Sequence, residues 1–296
     1  MTANPLELTT SERATCRVCH SDQLTPLYSL GNQYVNNFIN PEDLATCIKA
    51  PLEMMLCEHC TLLQLKHTAP QELLYAGFYW YKSGVTDTMK RALREISEKA
   101  ETWFGLEAGD VVLDIGSNDG TLLRTYEVPG LITVGVEPAS NLIEEGRVGL
   151  THCIHDFWNY ESYHKEVGTQ AKVITALGMF YDMEDPNQFI SDAAKALTED
   201  GVFIAQLMCL KNMMDTNDVG NICHEHLEFY SFHSLEYLFE HNGLEVFDVE
   251  INNVNGASYR LFARKKGADV TPAEGADERI ARVRQDEEGL DDKKVH

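Results

Sequence analysis

The chain has 296 residues, with 24 Lys and Arg against 47 Asp and Glu, and a formal net charge of −23. Hydrophobic residues make up 44%, enough to bury a core in one large domain or in two to three smaller ones. This charge argues against a sequence-independent nucleic-acid binder, which needs a basic face for phosphates. No apolar run approaches the roughly 20 residues that span a bilayer. The N-terminus is polar and lacks the apolar stretch of a secretory signal, so no membrane partner and a cytoplasmic location are expected. A cationic ligand suits the charge, and a small anionic one is still compatible with a local basic or helix-N-terminal pocket.

Residues 1–78 form the first of three expected regions. They carry many turn residues, scattered aromatics and little periodicity. Two C-x2-C knuckles lie here, Cys16-Arg17-Val18-Cys19 and Cys57-Glu58-His59-Cys60. Each knuckle presents two thiolates from a tight turn, and two together make a tetrahedral four-sulfur site. No position is left for water, so the expected ion is structural: zinc, with iron as the other metal such a donor set accepts. His20 and His59 adjoin the knuckles as alternative ligands. Cys47, Cys153 and Cys209 read as ordinary thiols.

The second region is residues 79–265. Met89, Leu93, Ile96 and Ala100 recur at helical spacing within 86–104. Strands are then expected at 111–115, 131–136, 152–155, 173–177 and 202–207. Helices are expected near 119–127, 139–147, 159–167 and 187–198. Strand and helix alternating at this spacing make crossover units and a parallel sheet. Segments 244–251 and 258–263 read as an antiparallel hairpin closing one edge. The third region, 266–296, alternates acids and bases with few apolar residues and reads as a charged linker helix or solvated tail.

Val111-Val112-Leu113-Asp114-Ile115-Gly116-Ser117-Asn118-Asp119-Gly120 is a buried strand entering a glycine turn. It lacks the Gly-Lys-Ser/Thr of a P-loop, and it fails the three-glycine dinucleotide pattern at Asn118 and Thr121. Glu137-Pro138 ends the next strand, where a carboxylate can accept both ribose hydroxyls of an adenosine cofactor. With no diphosphate to hold, the first turn can be acidic, and Asp114 and Asp119 suit the cationic S-adenosylmethionine. Asp156-Phe157 follows the third strand, where an acid can accept the adenine amino group. The cofactor-binding candidates are thus Asp114, Gly116, Ser117, Asn118, Asp119, Gly120, Glu137, Pro138, Asp156 and Phe157, with Leu177 at the end of the fourth strand.

The knuckles, Tyr79-Trp80-Tyr81-Lys82-Ser83-Gly84, the Asp114–Gly120 turn, and His224-Glu225-His226 with Tyr230 and Ser231 resemble one family. It is the nucleotide-sugar C-methyltransferases of deoxysugar biosynthesis, with an N-terminal zinc-binding domain. The resemblance runs from about Cys16 to Arg264. It implies an α/β class I methyltransferase fold, a Rossmann-like seven-stranded sheet preceded by the small zinc domain. It also implies methylation of a carbon beside the keto group of a nucleoside-diphosphate sugar. Cys223 stands where the family has tyrosine before the His-Glu-His run. Gly178 and Asp182 stand where it tends to carry Asn and His. The family continues into a further C-terminal α/β domain, whereas this chain stops inside an expected helix at 279–289. A truncated chain, a short variant and a separate partner polypeptide are the alternatives, and a monomer or a dimer is expected.

Methylating carbon requires removal of a proton beside a carbonyl and a donor for the resulting enolate oxygen. By resemblance, His226 is the general base and Glu225 orients it or shares the proton. Tyr81 maps to a family tyrosine lining the active site, and His224 is a lesser catalytic candidate. Tyr79, Gln206, Tyr230 and Arg260 are the substrate candidates, Arg260 for the diphosphate. Two other functions remain open at this stage: an O- or N-methyltransferase on another small molecule, and a non-catalytic zinc and cofactor-binding subunit.

Overall fold

The computed structural model describes residues 10–35 and 48–290. A seven-stranded sheet dominates it: β1 (Val111–Ile115), β2 (Ile132–Val136), β3 (His152–Ile154), β4 (Ala171–Leu177), β5 (Leu197–Met208), β6 (Leu244–Asn252) and β7 (Ser258–Lys265). The spatial order is β3-β2-β1-β4-β5-β7-β6. The pairs β1–β2, β1–β4, β2–β3 and β4–β5 are parallel, while β7 lies antiparallel between β5 and β6. β1 is buried along its whole length, as expected for a central parallel strand covered on both faces. The strand order reverses at β1/β4, and the ends of those strands open a crevice there.

The long helix α1 (Asp87–Phe104) begins where the Thr86 hydroxyl accepts the Met89 amide, and it ends at Gly105 in the left-handed region. Leu93, Ile96 and Ala100 turn into the core, as their spacing predicts. α2 (Ile143–Gly146), α3 (Tyr160–Val167), α4 (Pro186–Ala196), α5 (Leu210–Thr216) and α6 (Phe232–His241) follow. The helix expected over 119–127 shrinks to one 3-10 turn, Leu123–Thr125. The Thr125 hydroxyl donates to the Leu122 carbonyl at 2.6 Å and takes an acceptor the next helical turn would use. α2 is likewise shorter than the span expected for it.

Residues 11–76 hold a second sheet. Leu24–Tyr34, Lys49–Cys57 and Leu63–Leu65 pair antiparallel, and a fourth strand, Glu228–Phe229, joins them from the far side of the sequence. The two parts therefore share backbone hydrogen bonds. Cys47 falls outside the described residues.

One expectation is corrected at the C-terminal end. α7 (Ala276–Asp286) is docked rather than solvated, with Ala276, Ile280 and Val283 buried. The Arg279 guanidinium donates to both oxygens of the fully buried Asp248 on β6, at 2.8 and 2.6 Å. Three apolar residues at helical spacing suffice to seat a helix whose other face is charged. No helix among the described residues is long and apolar enough to cross a membrane.

Candidate active site

A cavity of about 390 Å³ opens at the C-terminal ends of β1, β2, β4 and β5. Its floor is Ile115 and Gly116, Val136 to Pro138, Leu177 to Met179, and Gln206. Gln71, Tyr75, Tyr79, Tyr81 and Ser83 cross over it from one side, and Asp182 to Asp185 with Phe157 and Trp158 close the other. Among the described residues, five carboxylates line the cavity (Glu137, Asp182, Glu184, Asp185 and Asp192) and no lysine or arginine does. Such a wall favours a cation.

The glycine turn is built to bring backbone close. Gly116 has φ +70°, and a Cβ there would lie 2.8 Å from Met179 Cγ. The buried Glu137 carboxylate accepts the Asn118 amide at 2.8 Å and the Ala139 amide at 2.8 Å. Burial pushes this carboxyl up, and those two amides oppose the shift. Each oxygen keeps a lone pair, so the carboxylate is held in place and can still accept the paired hydroxyls of a ribose. With apolar Val136, Phe157, Leu177 and Met179 around it, this half of the cavity fits S-adenosylmethionine.

Several sequence candidates have other duties. Asp114 is buried below the cavity and accepts the Thr175 hydroxyl at 2.6 Å. Ser117 faces away, its hydroxyl against Gly135. Gly120 packs on the Gly146 carbonyl, which a Cβ would meet at 2.5 Å. Asp119 turns outward and accepts the Gly84 amide at 2.7 Å and the Thr121 hydroxyl at 2.6 Å. Asn118 does line the cavity, and its side chain pins the strap above by accepting from the Ser83 amide and donating to the Tyr81 carbonyl. Asp156 is not among the lining residues; its oxygens accept from Ser162, Asn159 and the Phe157 amide, and the carboxylate organises the start of α3. Gly116, Glu137, Pro138, Phe157 and Leu177 line the cavity as expected of cofactor contacts.

The expected substrate side divides in the same way. Tyr79, Tyr81 and Gln206 line the cavity. Tyr230 does not: it is fully buried and stacks on Phe180 with ring centroids 5.5 Å apart. Arg260 is also corrected. It is buried, donates to Gln206 at 3.1 Å and pairs with Glu95 and Glu250, so it is not free for a diphosphate. His224 bonds the Ala50 carbonyl at 3.1 Å and ties its loop to the second sheet. His226 sits outside the lining, edge-on to Tyr181 with centroids 4.7 Å apart. Its Nδ1 contacts the Asn221 carbonyl at 2.7 Å. A carbonyl only accepts, so Nδ1 carries the proton and Nε2 is the basic nitrogen. Burial lowers the pKa of this imidazole and keeps it neutral. The Glu225 carbonyl accepts the Tyr75 hydroxyl at 2.8 Å. Burial pushes Asp182, Tyr75 and Tyr79 upward, and the nearby Glu225 carboxylate adds to each shift.

Tyr75, Gln71 and Met179 line the cavity without having been singled out in the sequence, and Asp182 was noted only as a departure from a family pattern. Tyr75 lies in a π-helical turn, Glu72–Ala76. Such turns accompany functional sites, but their i→i+5 bonding leaves no mark on hydrophobic periodicity.

The four knuckle cysteines meet with all sulfurs within 4.8 Å of one another, Cys19 and Cys57 at 3.4 Å and Cys16 and Cys60 at 3.6 Å. A tetrahedral zinc with bonds of about 2.3 Å separates its sulfurs by about 3.8 Å, so the cluster fits that ion. Among the described residues it is the single group of this kind, and neither His20 nor His59 belongs to it. Cys153 and Cys209 lie elsewhere as free thiols.

Residues 16–75 match a family described as a zinc binding domain, and residues 81–249 match one described as a methyltransferase domain. The C-methyltransferase NovU of Streptomyces niveus is 30% identical over 265 residues, covering 87% of this chain and 63% of that protein. The chain thus spans less than two thirds of this relative's length. Among solved structures, the magnesium protoporphyrin IX methyltransferase of Synechocystis aligns with TM-score 0.47 at 12% identity, over 63% of this chain and 90% of that one. An S-adenosylmethionine-dependent methyltransferase of Clostridium acetobutylicum gives 0.46 at 15% identity, over 62% and 94%. The chain belongs to the S-adenosylmethionine-dependent methyltransferases that carry a zinc-binding domain ahead of the methyltransferase domain.

Proposed function

We propose that this enzyme methylates a carbon beside the keto group of a nucleoside-diphosphate deoxysugar. The observation that carries the reading is one cavity with two chemically different ends. One end holds the glycine turn and Glu137. The other gathers Tyr75, Tyr79, Asp182 and, behind them, Glu225 and His226, polar groups suited to moving a proton and holding a sugar. The NovU relative, itself a C-methyltransferase, supports carbon as the acceptor. When bound, S-adenosylmethionine would supply the electrophilic methyl group.

The chain's own residues do the rest. Glu137 orients the ribose, and Gly116 lets the backbone approach. For the base, the substrate must reach past the lining to neutral His226, whose Nε2 takes the proton beside the carbonyl, with Glu225 stabilising the imidazolium that forms. Tyr79 and Tyr81 hydrogen-bond the sugar. With no cation in the described lining, the diphosphate projects from the cavity mouth.

The test is methyl transfer by the full chain to nucleoside-diphosphate keto-deoxyhexoses, read as a mass gain of one methylene with the new carbon–carbon bond located by NMR. His226→Asn is expected to lower turnover by about 100-fold or more, the usual worth of a positioned base. Glu137→Ala is expected to weaken cofactor binding at least about tenfold, as loss of charge-assisted hydrogen bonds does. Methyl transfer to oxygen or nitrogen, unaffected by His226→Asn, would overturn the reading.

A further inference from the structure

Asp182 stands where the loop after β4 passes over the cavity. It is 5% exposed, lines the cavity, and its Oδ1 is buried with no hydrogen-bond partner. An unsatisfied buried carboxylate is costly, and the group must find a partner or take up a proton. Its surroundings decide between these. Glu225 and Glu228 bring it no positive charge, and burial pushes the Glu228 carboxyl up as well. Tyr79, Tyr181 and Cys223 are close enough to feel its charge and bring none of opposite sign. The hydroxyl of Tyr75 is the neighbour that favours the charged form, yet it gives its proton to the Glu225 carbonyl at 2.8 Å. Arg17 serves other acids, pairing with Glu228 at 3.7 Å and bonding Glu184, Gln64 and Thr68. Burial first, and these carboxylates second, hold Asp182 well above the usual carboxylate range.

A neutral carboxyl on a cavity wall is a hydrogen-bond donor. We propose that Asp182, through the proton on its carboxyl, holds the carbonyl oxygen of the acceptor substrate and stabilises the enolate formed there. This rests on the C-methylation reading above. When the base removes the proton beside the carbonyl, the electron pair of that carbon–hydrogen bond moves into the ring and onto the oxygen. Asp182 keeps its own proton and shares it with that oxygen. When carbon later forms its new bond, the pair returns, the carbonyl is restored, and Asp182 is unchanged. A fixed donor inside a dry site acts most strongly where charge develops.

The test compares Asp182→Asn with Asp182→Leu. Each is incubated with a nucleoside-diphosphate keto-deoxyhexose in heavy water, and NMR follows deuterium entering beside the carbonyl. An asparagine still donates a hydrogen bond, and a leucine does not. D182N is expected to keep exchange within about tenfold of wild type. D182L is expected to lose about 100-fold, the usual cost of one oxyanion donor. Both should bind S-adenosylmethionine with wild-type affinity by calorimetry. If D182N falls as far as D182L, Asp182 works as a carboxylate and the donor role is overturned. Wild-type exchange in D182L, or cofactor affinity lost in both variants, overturns it as well. Should D182L melt early, the isosteric D182N still decides, since base and donor predict opposite results. Wild type that binds cofactor yet neither exchanges nor methylates the ketone refutes the C-methylation reading itself, a different outcome from failure at Asp182 alone.

Discussion

Asp114 shows how a residue inside a legible motif can carry a structural partner. It belongs to the cofactor turn, but β1 buries it and its partner is Thr175 rather than a ligand. Burial pushes its carboxyl up to about 7, against the lowering effect of the Thr175 hydroxyl. The unfolded chain has it near 3.9. Between those values the folded protein holds a proton that the unfolded chain has released, so stability falls as pH rises and levels off above about 7. Asp114→Asn removes this titration. The stability of wild type relative to D114N should fall by up to about 1.4 kcal/mol per pH unit from about pH 5 to about pH 7. Urea denaturation across that range measures it, and a flat difference would show that Asp114 is charged throughout. The turn was legible in the sequence because a buried strand, a glycine and the acid after the next strand are local patterns. Tyr75 and Asp182 were not, because their meeting joins segments far apart in the chain that no periodicity links. Arg260 was misplaced for a related reason: an arginine after a glycine turn resembles an anion contact until Glu95 and Glu250 are seen beside it.

The same division holds for elements. Strands were legible because parallel strands in this sheet are short apolar runs bounded by turn residues. Helices with caps were legible too: α3 starts where Asn159 accepts the Ser162 amide, and α4 where Asp185 accepts the Gln188 amide just before Pro186. α7 was obscured by its charge, since only Ala276, Ile280 and Val283 mark its buried face. Its docking is ionic as well as apolar. Asp248 is fully buried on β6 and Arg279 supplies both of its hydrogen bonds to a cation. Arg279→Ala leaves that carboxylate without its counter-charge and is expected to lower unfolding free energy by about 2 kcal/mol or more. Asp248→Asn in the same chain should recover part of that loss, because a neutral amide tolerates burial better than an orphaned carboxylate. Denaturant midpoints of the two single variants and the double variant give the coupling. Strictly additive losses would mean that α7 is held by its apolar face alone.

Across the whole molecule, the metal centre and the cavity are joined through one side chain. Arg17 lies between the two cysteines of the first knuckle and is fully buried. Its guanidinium donates to Thr68 at 2.7 Å and to Gln64 at 3.1 Å within the N-terminal part, then to Glu184 at 3.3 Å in the loop that walls the cavity. Asn187, in the first turn of α4, donates to the Arg17 and Val18 carbonyls at 2.8 and 3.0 Å. The knuckle thus grips segment 184–187 by side chain and by backbone. Four thiolates drawn together by a metal hold that turn in shape, and without the ion they repel or protonate apart. Any loosening is passed to the cavity wall, because a buried arginine cannot be rearranged without giving up its ion pair with Glu184. Removing the metal with a thiol-reactive mercurial and a chelator, then reducing the thiols, should therefore weaken S-adenosylmethionine binding by about fivefold or more. Linkage requires the reciprocal effect: saturating cofactor should tighten equilibrium metal binding by the same factor. Amide hydrogen exchange should rise at residues 184–190 along with the knuckles, while β1 and β4 stay protected. Calorimetry on the folded, metal-free chain decides the matter. Unchanged cofactor affinity there would mean that the two parts touch without being coupled, and that the zinc serves the N-terminal sheet alone.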